Sequence, residues 1–380
     1  MKLIKNALNE YLLIFLFITA CLTTWDAQDI YAKWMAVLIF SALLISYQVS
    51  KKLHWSAGLS YFAVLMNGIM VFAWWNNWYY NMDTGPFLQT MKYALYSVLT
   101  FIMLTVPIIY LDDKYLIKIV RAIAGVCIIT SFITIGQAIF GKSAYLRYAV
   151  FGNASMNACL IAFTLPFLYK VVKDNIQKRW TMYILIAPIV AILLTGSSQG
   201  SGILITLILL YFFKRNYYKY LSIVPVLVFI AWYFSPDEFF NNSQRFDFWK
   251  MYLGWWVEHA NYWFGVGVGT TPMYAISMQM HYNFAMGNWW AWAHGDWVQL
   301  LFEQGIAGLL SFILLFIFAL IQTIRNEQYF LRMALIAYGL AALANYGAHM
   351  AAHALIGICI VVLCFRYKEV KSIEFTEYHL

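Results

Sequence analysis

Long apolar runs constrain this chain of 380 residues more than any other feature of its sequence. They extend over roughly 15 to 25 residues each, and a helix needs about 20 predominantly apolar residues to cross the hydrocarbon core of a bilayer. The chain is 63% hydrophobic and 11% charged, whereas a soluble domain is about 45–50% apolar and about 25% charged. These values exclude a soluble enzyme, a disordered chain and a nucleic-acid reader. The unbroken runs also exclude an outer-membrane barrel, in which apolar and polar residues alternate.

We predict an all-α fold, a polytopic transmembrane helical bundle of about twelve spans, with residues 1–380 forming a single membrane domain. A continuous helix from 180 to 213 would measure about 51 Å, which is too long for one crossing. We therefore expect a break in the polar segment at 195–202. The predicted spans are 8–24, 32–50, 57–75, 88–111, 115–140, 152–169, 180–196, 200–213, 220–235, 297–322, 333–348 and 351–366.

The distribution of Lys and Arg predicts the orientation of these spans. If the N-terminus is cytoplasmic, 19 of the 25 Lys and Arg residues fall in cytoplasmic segments and six fall outside. Positively charged loops stay on the cytoplasmic side of a membrane. We therefore predict that both termini are cytoplasmic and that the longest loop, residues 236–296, lies outside.

The sequence predicts neither a metal nor another cofactor. The five cysteines all lie inside apolar runs and none forms a CxxC motif, so no zinc site or disulfide framework is expected. His349 and His353 have a spacing that could hold a metal, but no third ligand is evident, and we expect polar packing instead.

The external loop at 236–296 is rich in tryptophan, with seven of the sixteen in the chain. One interpretation is an interfacial belt, because Trp and Tyr favour the headgroup depth of a bilayer. The other is a surface on which sugar rings stack. Clustering around polar residues favours the second interpretation for residues 289–292, and we assign Trp249 and Trp292 to the substrate.

Two further motifs of the loop are SQRFDFW at 243–249 and GVGVG at 265–269. Arg245 is one of the few external cations, and its planar guanidinium suits bidentate capture of a phosphate. The alternative is a surface Arg that pairs with Asp247 or reaches lipid headgroups. The glycine run lacks a preceding strand, so we expect a tight turn there and not a nucleotide loop.

The stretch at 292–308 combines polar residues with the start of a span. Asp296 and Gln299 fit a capping box, and residues 296, 299 and 303 share one helix face. Placing such a polar stripe in contact with lipid costs free energy, so the stripe must face protein or a water-filled cavity. His294 precedes it, and an imidazole at a cavity mouth is a candidate base at neutral pH. A structural histidine is the alternative.

These motifs, in their order along the chain, resemble those of the bacterial O-antigen ligase and O-antigen polymerase family of membrane glycosyltransferases. The resemblance covers about residues 150–320. It rests on GNASMN at 152–157, LTGSSQG at 194–200, the SQRFDFW motif, the glycine run and HGDWVQLLFEQGIAG at 294–308.

The resemblance implies a multi-pass protein of the bacterial inner membrane with a periplasmic active site. Such proteins move a glycan from an undecaprenyl-diphosphate carrier to an acceptor hydroxyl, without a metal or other cofactor. The implied partners are the lipid-linked oligosaccharide, a glycan or lipid A–core acceptor and membrane lipids, with no nucleic acid. A polymerase is favoured, a ligase is the alternative, and a lipid-linked glycan transporter is a more distant one.

By resemblance, His294 is the catalytic base and Arg245 handles the diphosphate. A lipid diphosphate is a good leaving group, so the paired carboxylates of a glycosidase are not needed. One base and cations that hold the phosphate charge suffice for a single inverting displacement. The family commonly has Ser-Arg-Gly where this chain has Ser198-Gln199-Gly200, and Arg147 is the best candidate to compensate. The substrate-binding candidates are Arg147, Gln199, Asn153, Asn157, Asp296, Glu303, Trp249 and Trp292.

Overall fold

The computed structural model of the protein describes residues 113–143, 153–174, 183–212, 243–267, 271–282, 293–344 and 351–367. These ranges are predominantly helical and contain no strand, which confirms the predicted all-α class. The spans predicted before residue 112 and at 220–235 lie outside them. The helices are α1 Asp113–Ile139, α2 Ala154–Asp174, α3 Ile186–Leu194, α4 Ser198–Phe212, α5 Ser243–His259, α6 Thr271–His281, α7 Asp296–Arg325, α8 Tyr329–Ala344 and α9 Ala351–Arg366.

Three of these helices are long and apolar enough to cross a membrane, namely Leu116–Ile139 within α1, all of α2 and all of α7. Four shorter apolar helices accompany them. The second half of α7 exposes large apolar side chains at helical spacing: Leu310, Ile313, Leu314, Ile317 and Phe318. An exposed apolar stripe of this length is suited to lipid, and the chain is a membrane protein by these criteria.

Helix α2 lies at the centre of the described bundle and contacts α1, α3, α4 and α8. Small residues permit the closest of these contacts. A Cβ added to Gly200 of α4 would lie 2.3 Å from the Cβ of Ala158 on α2. Close approach of backbones through small residues is how helices pack inside a membrane, where burial of apolar surface offers little driving force.

The predicted break in the polar segment at 195–202 is present. Helix α3 ends at Leu194, and Gly196 has a φ of 67°, a left-handed conformation that glycine adopts without strain. The hydroxyl of Ser197 then accepts a hydrogen bond of 3.1 Å from the amide of Gly200. This N-cap starts α4 in a new direction.

Aromatic pairs fix the relative directions of the helices. Phe163 and Phe167 of α2 pack edge-to-face against Tyr338 and Phe330 of α8, with ring centroids 5.4 and 5.7 Å apart. The residue number increases along α2 in the direction in which it decreases along α8, so these two helices are antiparallel. A short turn at 326–328 joins α7 to α8, which makes those two antiparallel as well. Helices α2 and α7 therefore begin at the same end of the bundle.

We call the end where α2, α4, α7 and α9 begin the polar end. Ser155 of α2 donates a hydrogen bond of 2.7 Å to Gln199 of α4, and a ring nitrogen of His353 on α9 lies 3.0 Å from the carbonyl oxygen of Met156. The opposite end, the basic end, carries Lys170, Lys173, Arg325, Arg332 and Arg366. This segregation of charge matches the asymmetry on which the predicted orientation rests.

Candidate functional site

Helix α7 is interrupted at Gly305, where φ is 66° and ψ is −164°. The loop at 261–267, which follows α5, enters this interruption. The amides of Val266 and Gly267 donate to the carbonyls of Phe302 and Glu303, each at 2.9 Å. These two carbonyls would otherwise accept the helical hydrogen bonds of residues 306 and 307.

The displaced amides are satisfied by the same loop. Ile306 donates to the carbonyl of Tyr262 at 2.9 Å, and Ala307 donates to that of Trp263 at 3.1 Å. The carbonyls of Phe302 and Glu303 and the amides of Ile306 and Ala307 are therefore all paired, and leaving such groups unpaired would be costly in a membrane. The span predicted at 297–322 coincides with the candidate membrane-crossing helix Asp296–Arg325, but the interruption at Gly305 was not predicted.

Two glycines make the insertion of the loop possible. A Cβ on Gly265 would lie 2.4 Å from the carbonyl oxygen of Phe302, and one on Gly305 would lie 2.4 Å from the carbonyl carbon of Trp263. Gly265 also has a φ of 70°. In its described part, residues 265–267, the glycine run makes a tight turn that brings two backbones together.

The side chain of Glu303 is 1% exposed and lies directly before this break. Its Oε1 accepts a hydrogen bond of 2.5 Å from the hydroxyl of Thr271, at the start of α6, and one of 3.2 Å from the side-chain amide of Gln299. The face at 296, 299 and 303 is buried, with exposures of 0%, 0% and 1%. The stripe therefore faces protein, as was predicted.

Tyr252 of α5 is fully buried beside this carboxylate and packs edge-to-face on Phe302, with ring centroids 5.1 Å apart. Burial raises the pKa of Tyr252 well above its ordinary value, and the negative charge of Glu303 contributes a smaller increase. The phenol therefore stays protonated at neutral pH; it can donate a hydrogen bond but cannot serve as a base. Among the described residues it has no hydrogen-bond partner, and neither has the Oε1 atom of Gln299.

His294 lies in the turn immediately before α7, half-buried, with a left-handed φ of 53°. This conformation is uncommon for a residue with a side chain, although His adopts it more readily than most. Trp249 of α5 holds the turn: its indole donates a hydrogen bond of 2.9 Å to the carbonyl of Ala293, and its ring packs on Trp297 at 5.2 Å. Gly295 leaves the space that Trp249 occupies, since an added Cβ would lie 3.1 Å from the indole nitrogen.

Helix α5 also carries Arg245, four residues before Trp249, and residues four apart lie on the same face of a helix. Position 245 therefore lies on the same face of α5 as Trp249, which is the face that contacts the turn of His294. Arg147 and Trp292 lie outside the described residues.

Asp296 does not cap α7. The N-cap position is occupied by Gly295, with φ −167° and ψ 116°, and it makes no side-chain capping bond. The capping-box prediction is therefore wrong: Asp296 is the first residue of the helix. A carboxylate in the first turn still interacts favourably with the helix dipole. Asp296 is fully buried and lies close enough to Tyr338 of α8 to interact with it electrostatically.

A second polar group joins the first turns of α2 and α4. The hydroxyl of Ser155 donates to Oε1 of Gln199 at 2.7 Å, and the hydroxyl of Ser197 lies 3.2 Å from that of Ser155. Gln199, which stands where the resembled family has an arginine, thus links two helix N-termini. The first amides of a helix are unpaired within it and favour anions.

Asn153 and Asn157 have structural partners. The side-chain oxygen of Asn153 accepts hydrogen bonds from the amides of Ser155 and Met156, at 2.8 and 3.1 Å, so Asn153 is the N-cap of α2. Asn157 is fully buried and donates a hydrogen bond of 2.7 Å to Thr134 of α1. Both residues stabilise the packing of α2, and a role in substrate binding stays a prediction.

Sequence reasoning missed Thr271, Tyr252 and the loop at 261–267. The sequence carries two related signals, the glycine run and the single acidic residue at 303 within an apolar stretch. Neither signal identifies a contact partner that is distant in the chain. Among the residues that the structure describes, no group of three His, Cys, Asp or Glu side chains could hold a metal ion.

Comparisons with known proteins found no family model and no curated protein that matches this chain.

Proposed function

We propose that the protein is a glycosyltransferase of the bacterial inner membrane. It moves a glycan from an undecaprenyl-diphosphate carrier to an acceptor hydroxyl on the periplasmic side. The acceptor that we favour is a second lipid-linked repeat unit, which makes the enzyme a polymerase of O-antigen or another surface polysaccharide.

The observation that carries this proposal is the contact between α5 and the turn of His294. Trp249 packs on residues 293–297, and Arg245 is one helical turn away from Trp249. A base and a diphosphate-binding cation must both reach the reacting atoms, within hydrogen-bond distance of their targets. One helix, α5, carries the cation and contacts the turn that holds the base, and this arrangement supports the proposal.

In the proposed reaction, His294 takes the proton from the acceptor hydroxyl. The hydroxyl oxygen then forms a bond to the anomeric carbon of the donor sugar, and the bond from that carbon to the diphosphate oxygen breaks. One displacement inverts the anomeric configuration. Arg245 holds the negative charge that develops on the leaving diphosphate.

The polar group of α2 and α4 supports a supplementary role in holding that charge. Both helices begin at the same end of the bundle as α7, so their first turns lie at the end that carries His294. The amides of Ser155, Met156 and Gly200 are already bonded to Asn153 and Ser197, but the positive ends of the two helix dipoles still favour an anion without a formal cation. This arrangement offers one way to compensate for Gln199 in place of arginine.

The test is the glycan phenotype of a strain that lacks the protein, complemented with His294→Ala or with His259→Ala. His259 is a matched control because it is an exposed histidine at the end of α5. We expect His259→Ala to restore long chains and His294→Ala to leave single repeats on lipid A–core. Normal chain length with His294→Ala would refute the proposal.

The same strain distinguishes the ligase alternative. Long chains that accumulate on the lipid carrier, with bare lipid A–core, would indicate a lost ligase. In that case the site and its chemistry stay as proposed and only the acceptor changes, to a sugar of lipid A–core or a protein hydroxyl.

The break in α7 is the one observation that favours a transporter, because transporters build their binding sites from interrupted helices. In such sites the freed backbone groups contact the substrate or ion. Here the carbonyls of Phe302 and Glu303 and the amides of Ile306 and Ala307 are bonded to the loop at 261–267. This pairing favours a fixed scaffold over a transport site.

A further inference from the structure

A cavity of about 360 Å³ lies at the basic end of the bundle, between the end of α2, the turn from α7 to α8 and the end of α9. It is at the opposite end of α2 from the polar group described above. Three basic side chains line it, those of Lys170, Lys173 and Arg332, against the single acidic side chain of Glu327. The lining therefore favours an anion.

Gln328 gives the cavity a polar group that is available for a ligand. The residue is 3% exposed, and neither its side-chain nitrogen nor its side-chain oxygen has a hydrogen-bond partner among the described residues. Buried amides are nearly always paired, by protein, water or a ligand. An amide that lines a cavity beside cations can donate to an anionic oxygen.

The surrounding contacts hold the site in shape. Arg332 is buried and donates a hydrogen bond of 3.0 Å to the carbonyl of Thr323, across the turn. Lys170 pairs with Asp174 at 3.0 Å, and its ammonium lies 5.8 Å from the ring centroid of Phe330. The first turn of α8, a helix of 16 residues, faces the same cavity and adds the positive end of its dipole.

We propose that this cavity binds a phosphate group through Lys173, Arg332 and Gln328. Basic pockets between membrane helices on the cytoplasmic side bind the head groups of anionic lipids, and a free phosphate has the same chemistry. This proposal does not depend on the glycosyltransferase activity, since it concerns the other end of the bundle.

The test is the thermal unfolding midpoint of the purified full-length protein in neutral detergent. The probes are inorganic phosphate, phosphatidylglycerol in mixed micelles and phosphatidylcholine as the neutral comparison. The variants are Lys173→Gln and Gln328→Leu. Arg121→Gln is the matched control, because Arg121 is an exposed cation near the start of α1, at the same end, and does not line the cavity.

We expect phosphatidylglycerol to raise the midpoint by several degrees with saturation, and phosphatidylcholine to leave it unchanged. Each cavity variant should raise the half-saturating concentration about fivefold, which corresponds to the loss of roughly one hydrogen bond. Arg121→Gln should leave it as in the wild type. The same saturable and variant-sensitive shift with inorganic phosphate would also support the site, with free phosphate as its source.

The proposal is overturned if neither probe shifts the midpoint. It is equally overturned if the shift is the same in the cavity variants as in the wild type, or if Arg121→Gln weakens it as much as they do. Should Gln328→Leu fail to accumulate as folded protein, Lys173→Gln decides the outcome, because Lys173 is exposed and its replacement leaves the core unchanged.

Discussion

A carboxylate buried in an apolar helix needs hydrogen-bond donors, and Glu303 receives them from two side chains. Gln299 lies one turn earlier on the same helix, whereas Thr271 belongs to α6, far away in the sequence. Leaving such a group with fewer donors costs more than the bond itself is worth, because the group stays out of water. Thr271 therefore ties the start of α6 to α7.

Replacement of Thr271 by Val tests this contact. The variant keeps the shape of the side chain but removes the hydroxyl that donates to Glu303, so we expect a loss of about 1–3 kcal/mol in stability. Thermal unfolding in detergent measures it. Thr206→Val is the control, since the hydroxyl of Thr206 bonds only to the carbonyl of Gly202 within its own helix on an exposed face. Equal midpoints for the two variants would contradict the assigned role of Thr271.

Of the two residues in the contact between Glu303 and Thr271, the sequence predicted the burial of Glu303 only. The spacing of 296, 299 and 303 requires one buried face, and the exposures confirm it. Thr271 could not be identified, because no local pattern reports a tertiary partner 32 residues away. The predicted capping role of Asp296 was also wrong. The glycine before it adopts an extended backbone conformation and occupies the N-cap position.

At the scale of the element, α7 is two helical segments with a loop inserted between them. The loop at 261–267 supplies two donors and two acceptors to the interrupted backbone. Because Gly305 combines a positive φ with an extended ψ, it lies in a region of conformational space that is essentially restricted to glycine. The break therefore depends on the identity of one residue.

Replacement of Gly305 by Ala should destabilise the protein by at least ~2 kcal/mol, from the backbone strain and the clash with Trp263 together. Gly136→Ala is the matched control: it lies inside α1, an added Cβ meets nothing within 4 Å, and Ala in a helix is more stable than Gly by about 0.5–1 kcal/mol. The unfolding midpoints of both variants give the comparison. A Gly305→Ala protein as stable as the control would show that the inserted loop contributes little.

The sequence predicted the elements well where length and composition decide them. The break at 195–202 follows from the length of a membrane crossing, and the bounds of α9 agree with the predicted span at 351–366. The break at Gly305 escaped prediction because an isolated glycine in an apolar run is compatible with a continuous helix. Only the partner loop distinguishes the two cases.

At the scale of the whole molecule, the described helices separate two kinds of chemistry. The polar end collects hydroxyls, amides, His294 and the buried carboxylates, while the basic end collects the cations of α2, α7, α8 and α9. We propose, from the excess of Lys and Arg, that the basic end faces the cytoplasm. On that proposal the polar end lies outside, on the side where the proposed lipid-linked donor would be bound.

Accessibility of single cysteines to a membrane-impermeant maleimide tests this orientation. We expect Asn261→Cys, in the loop after α5, to react in cells whose inner membrane is intact. Asn326→Cys, in the turn from α7 to α8, should react only after that membrane is opened. Both positions are exposed, and the four native cysteines in the described ranges are buried and should stay silent. The opposite pattern would invert the orientation.

The central proposal is that His294 and α5 together form a site for glycan transfer. Its most direct test is transfer by the purified protein in detergent, with a diphosphate-linked oligosaccharide as donor and a lipid-linked repeat unit as acceptor. We expect product from the wild type and from His259→Ala, and a loss of at least about 10²-fold with His294→Ala, the usual contribution of a general base. Transfer by His294→Ala at the rate of the wild type would contradict the account, as would the absence of product from every form of the protein.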